Sequence, residues 1–141
     1  MSLYLDTSVL VAALTNAARG DAVRAWMAAR EGGGFSSSQW VRTDFSSALA
    51  MKLRGGFTTG GQRAAALSLF TQAYMGTFRA LPITDSHYRA AAAYLDHWEL
   101  GLRSGDALHL AIAAGHGETF CTLDRRMAEV GQQLGLATIL V

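Results

Sequence analysis

A chain of 141 residues that is 50% hydrophobic and 16% charged has the length of one ordinary domain and enough apolar material for a core, which excludes an intrinsically disordered protein. The formal net charge is +1, so bulk electrostatics make no case for nucleic-acid binding, although four acids gathered in one place would leave the rest of the surface more basic than the total. Cys121 is alone, which excludes an internal disulfide and a cysteine-based zinc site and points to a reducing cytosol. The apolar start, Leu3 to Leu14, carries Asp6 within it and lacks a basic leader, so neither a signal peptide nor a membrane span is expected and the protein is placed in the cytoplasm.

In chain order, Leu3-Tyr4-Leu5 predicts a short strand ending at Asp6-Thr7-Ser8, after which Val9 to Leu14 is helical. Asp21 to Arg30 predicts a helix with Val23, Trp26 and Met27 as its apolar stripe, stopped by Gly32-Gly33-Gly34. Phe35 and Ser36 form a brief strand, and Ser38 caps a helix to about Arg54, ended by Gly55-Gly56. Thr58 or Thr59 opens the next helix, carrying Ala65, Leu69 and Ala73 on one side. Arg79 to Ile83 is a predicted strand, and Thr84 caps a helix through Tyr88, Ala91, Ala92, Leu95 and Trp98. Ser104 caps another, apolar almost all round from Ala107 to Ala114 and therefore buried. Thr119 to Leu123 is a strand, Asp124 begins a helix to about Leu134, and Leu136 to Leu140 closes the chain as a strand. Strands alternating with helices predict a three-layer α/β/α sandwich around a mostly parallel sheet of about five strands, in a single domain over residues 1–141.

Chemistry in such a sheet collects outside the carboxyl ends of its strands. Asp6 and Asp124 each follow a predicted strand, Asp106 lies in the first turn of the most buried helix, and Asp44 borders the apolar stripe of Val41, Phe45 and Leu49. Singly, Asp6 and Asp124 read as helix caps, Asp106 as a residue suited to a helix dipole, and Asp44 as a solvated helix residue. The set reads differently. Two carboxylates about 4 Å apart repel by roughly 1 kcal/mol in water and roughly 4 kcal/mol at an effective dielectric of 20, so a cluster takes up protons or binds a cation. All-oxygen ligation suits Mg²⁺ or Mn²⁺, and such an ion serves phosphodiester hydrolysis where no cysteine or Ser–His nucleophile pair stands ready. A haloacid-dehalogenase-like phosphoryl-transfer site would want a second Asp two residues after Asp6, where Ser8 stands.

The segments Leu5-Asp6-Thr7-Ser8-Val9-Leu10, Thr43-Asp44, Ser104-Gly105-Asp106-Ala107-Leu108-His109-Leu110-Ala111 and Thr122-Leu123-Asp124 together resemble a PIN domain, and more narrowly the VapC-type toxins of bacterial toxin–antitoxin pairs. The resemblance implies a parallel five-stranded sheet flanked by helices and a Mg²⁺- or Mn²⁺-dependent endoribonuclease. In it Asp6, Asp44, Asp106 and Asp124 take the four acidic, metal-holding catalytic positions, with Thr7, Ser8 and Thr122 as neighbours that orient a carboxylate or a metal-bound water. It also implies a small antitoxin partner whose tail blocks the site, a homodimer, and contact with promoter DNA only through the antitoxin. The second acidic position is usually Glu in that family and is Asp44 here, one methylene shorter; Glu31 and Glu99 lie outside the matching segments. That departure motivates an alternative, a weakly active or inactive PIN scaffold that binds an antitoxin or RNA.

Of the other polar residues, His109 sits one turn after Asp106 and is read as a core histidine, or else as a hydrogen-bond partner of Asp106. His87, His97 and His116 lack ligand spacing with the acids. Arg103, Arg125 and Arg126 are read as surface residues by default, with phosphate contact as the functional alternative, and Trp26, Trp40 and Trp98 as core or dimer packing.

Overall fold

The computed structural model describes residues 2–141, and in it strand β1 (Leu3–Leu5) is entirely buried at the centre of a five-stranded sheet ordered β3-β2-β1-β4-β5. The other strands are β2 (Phe35–Ser38), β3 (Arg79–Leu81), β4 (Thr119–Thr122) and β5 (Thr138–Leu140). All pairings are parallel, with Tyr4 opposite Ser36 on one side and Phe120 on the other. Parallel strands need crossovers, and these are the helices α1 (Thr7–Leu14), α2 (Gly20–Ala28), α3 (Gln39–Arg54), α4 (Gly60–Gly76), α5 (Asp85–Asp96), α6 (Ser104–Gly115) and α7 (Arg125–Gln133). The connections from β1 through β3 cross the sheet in one direction and those from β3 through β5 in the other. Right-handed crossovers therefore lay their helices on opposite faces, which is the predicted α/β/α sandwich.

Helix starts follow local chemistry. Asp6 accepts from the Val9 N–H, Ser38 from Val41 and Asp124 from Arg126 and Met127, while Thr59 and Gln62 form a reciprocal capping box. Four expectations are corrected. Ser104 is the first residue of α6 and not its cap; that position falls to Arg103, whose N–H donates to the Asp106 carboxylate at 3.3 Å. In α4 the inward residues are Ala66 and Phe70, and Leu69 is 47% exposed, because the Phe70 ring stacks on Phe45 at 4.7 Å and turns the helix by one position. The strand begun at Arg79 stops at Leu81, since Pro82 has no N–H to extend the ladder. Helix α5 ends at Asp96, and Trp98 lies in a 3-10 turn, Trp98–Leu100, with 82% of its surface exposed instead of packed.

The core runs along the sheet through Tyr4, Leu5, Val9, Leu10, Phe45, Leu49, Leu110, Ile112 and Phe120, all buried. Helix α6 is buried continuously from Ala107 to Ala113, as its all-round apolar sequence predicts. Among the described residues no helix is long and apolar enough to cross a membrane.

Candidate functional site

Strand order reverses between β1 and β4, so their carboxyl ends flank the switch point at which open parallel sheets form a crevice. Asp6 leaves β1 there and Asp124 follows β4. Asp6 is 5% exposed, and its two oxygens are held by side chains from both strands' ends. Ser8 Oγ donates to Oδ1 at 2.5 Å and the Val9 N–H to the same oxygen at 3.2 Å, while Thr122 Oγ1 donates to Oδ2 at 2.6 Å. Each hydroxyl is aimed from behind by a backbone amide: Leu123 N–H donates to Ser8 Oγ and Asp124 N–H to Thr122 Oγ1, both at 3.0 Å. Burial raises the Asp6 pKa, and nearby His109 and these donors only partly offset it.

Asp44 comes to the site from α3. Its Oδ2 lies 3.0 Å from His109 Nε2, and this hydrogen bond is the main cause of its lowered pKa, with burial opposing and Thr7 assisting as a second hydrogen-bond donor. Thr7 Oγ1 also stands 3.3 Å from the same imidazole nitrogen. His109 is buried, and its Nδ1 lies 3.0 Å from the Tyr4 hydroxyl, itself 3.0 Å from Ser38 Oγ. The rings of Tyr4 and Trp40 flank the imidazole, each with its centroid 6.0 Å away. Two sets of contacts thus meet at α1: Asp6 with Ser8 and Thr122, and Asp44 with Thr7 and His109.

Asp106 and Asp124 stand at the edges of this arrangement. Asp106 is half-buried with Oδ2 on the Arg103 N–H, and Asp124 is exposed with Oδ1 on two amides of α7. Asp124 is linked to Asp6 through Thr122, whereas Asp106 sits one helical turn above His109 on α6. Among the described residues no three His, Cys, Asp or Glu side chains stand close enough together to hold a metal directly. The donor chemistry nevertheless fits a hard divalent cation: Asp6 is a buried carboxylate bonded only to hydroxyls and an amide, and Mg²⁺ is commonly held by one or two carboxylates with waters completing its shell.

His109 is the core histidine that its apolar helix predicts, and the carboxylate it meets is Asp44 on α3, not Asp106 one turn before it. Tyr4 and Ser38 were missed. The period of two along β1 does put Tyr4 on the same face as Asp6, but the reach of Ser38 to Tyr4 is a long-range contact with no local signal. Arg126 donates to the Leu100 carbonyl at 2.8 Å, pinning the 98–103 loop to α7, while Arg103 and Arg125 are exposed. Glu118 was also missed. Buried at the opposite, amino-terminal end of the sheet, it accepts from Ser36 at 3.0 Å and pairs with Arg79. A cavity of about 450 Å³ lined by Leu10, Leu14, Met27, Phe35 and Phe78, with Glu31 also in its lining, includes none of Asp6, Asp44, Asp106 or Asp124.

Solved structures share this fold at low identity. FitAcB from Neisseria gonorrhoeae is 17% identical, with 99% of this chain and 96% of that one covered and a TM-score of 0.69. VapBC2 from Rickettsia felis, bound to a DNA fragment from its promoter, is 14% identical with 99% and 98% covered and a TM-score of 0.74. VapC20 from Mycobacterium tuberculosis, described as a sarcin-ricin loop cleaving toxin, is 18% identical with the same coverage and a TM-score of 0.74. No curated protein matches the chain. The profile of the PIN domain matches residues 3–133, nearly the whole length, and it places this chain in the PIN domain family.

Proposed function

We propose that this chain, as a single domain, is a metal-dependent endoribonuclease and the toxin of a type II toxin–antitoxin pair. The observation that carries the reading is the buried Asp6 carboxylate, held by Ser8 and Thr122 at the switch point and, among the described residues, bonded to no Lys or Arg. Supporting it is the likeness in fold to a toxin described as cleaving the sarcin-ricin loop and to the FitAcB and VapBC2 structures. In this reading Asp6, Asp44, Asp106 and Asp124 hold Mg²⁺ or Mn²⁺, partly through waters. The bound cation would supply a water activated as nucleophile and an offset for charge on the phosphoryl oxygen. Ser8 and Thr122 keep both Asp6 oxygens oriented, and Thr7 and His109 do the same for Asp44. A cognate antitoxin, a homodimeric assembly and a cytoplasmic setting complete the proposal, with promoter DNA reached through the antitoxin.

Asp6→Asn is expected to abolish Mg²⁺- or Mn²⁺-dependent cleavage of RNA while circular dichroism and the melting curve stay those of a folded protein. Undiminished cleavage by the variant would sink the assignment. A second reading, a scaffold that binds but cleaves poorly, draws on the short Asp44 side chain and its commitment to His109. Calorimetric titration with Mn²⁺ separates the two, because an inert scaffold gives no binding event that Asp6→Asn removes.

A further inference from the structure

His109 is an imidazole with 3% of its surface exposed on an otherwise apolar helix. Burying such a ring is costly unless both nitrogens are matched, and here both are matched by side chains from other elements. The donors can be assigned one after another. The Asp44 carboxylate is acceptor-only, so the 3.0 Å contact at Nε2 requires Nε2 to carry the hydrogen. In the neutral ring Nδ1 is then a lone pair, and the Tyr4 hydroxyl 3.0 Å away donates to it. With its one hydrogen spent, Tyr4 accepts from Ser38 Oγ–H, and Ser38 in turn accepts the Val41 N–H at 3.4 Å. The result is a one-way chain, Ser38 to Tyr4 to His109 to Asp44, starting at the carboxyl end of β2 and ending at the acid.

Trp40 closes the ring in from the side. It lies one turn before Asp44 on α3, touches the imidazole, and donates through Nε1 to the Gly105 carbonyl at 3.2 Å, so α3 and α6 are clasped on both sides of His109. The outer nitrogen of the ring meets a half-buried carboxylate on α3, so the contact joins two elements at one of the four acids.

We propose that His109 is a positioning residue of the acidic site: fixed in the Nε2–H tautomer by Tyr4, it holds the Asp44 carboxylate in one orientation across the gap between α3 and α6. The proposal rests on the acids being a divalent-cation site.

Two measurements on the intact chain test it. In metal-free protein, the ring nitrogen shifts of His109 are expected to show Nε2 protonated and Nδ1 unprotonated, and the reverse tautomer would overturn the chain. In calorimetry with Mn²⁺, His109→Leu is expected to bind about 10- to 100-fold more weakly than the unmodified protein, the range typical for loss of a partner that orients a metal ligand. His109→Gln, which keeps an N–H directed at Asp44, should recover most of that loss. In an Asp44→Asn background, His109→Leu should change nothing further. A folded His109→Leu protein that binds Mn²⁺ as the unmodified protein does would overturn the positioning role alone, whereas an unmodified protein that binds no Mn²⁺ would overturn the cation site beneath it.

Discussion

Asp6 and Asp44 are alike in chemistry and opposite in electrostatics. Burial raises the Asp6 pKa, so its protonated form is favoured in the native state; the stability this contributes is present below the ordinary aspartate value of about 4 and is lost as pH rises through the raised native value. The His109 hydrogen bond lowers the Asp44 pKa, so its contribution is present above the ordinary value and is lost as pH falls through the native one. Urea midpoints measured across the acid-to-neutral range without metal check both signs. Asp6→Asn is expected to lessen the decline in stability on rising pH, and Asp44→Asn to lessen the loss on acidification. At this scale the residue types were legible and their partners were not. Asp6 and Asp106 stood out from their segments, but nothing near Asp44 announced that a histidine 65 positions later would hold it.

Elements follow from short-range chemistry, and most starts could be read because a cap and its amide lie within three residues of each other. The misread helix faces have a different origin. In α4 the choice between Leu69 and Phe70 as the inward residue was decided by Phe45 on α3, a partner outside the window of any periodicity. The segment after α5 breaks because Gly101 takes φ +66, a left-handed conformation that lets the 98–103 loop turn back under Arg126. Gly101→Ala is therefore expected to cost about 1–2 kcal/mol from backbone strain alone, read as a lower urea midpoint. A side chain there would also press on the Arg126 guanidinium that pins the loop.

At the scale of the whole molecule, the two ends of the sheet carry separate duties. The carboxyl ends gather Asp6, Thr122 and Asp124. The amino ends hold Glu118 against Ser36 and Arg79, tying β4 to β2 and β3 across the central strand. Glu118→Ala is expected to destabilise the protein by about 1–3 kcal/mol, since it strips the buried Ser36 hydroxyl of its acceptor, while Mn²⁺ affinity stays unchanged. Equilibrium denaturation and calorimetry on the same preparation check both halves. A simultaneous loss of Mn²⁺ binding would show that the two ends are coupled.

The sequence by itself determined the alternation of strands and helices, the caps that begin four of the helices, the buried character of α6, and the position of Asp6 and Asp124 at strand ends. These depend on contacts within a turn or two, where residue type decides conformation. Only the tertiary structure decided the strand order, the face of α4, the exposure of Trp98 and the partners of the acids, with Asp6 buried against Thr122 and Asp44 half-buried against His109. The physical reason is that such features depend on packing between segments far apart in the chain. A buried polar group takes whichever partner the fold brings within about 3 Å, so Asp44 is matched by His109 and Asp6 by Thr122.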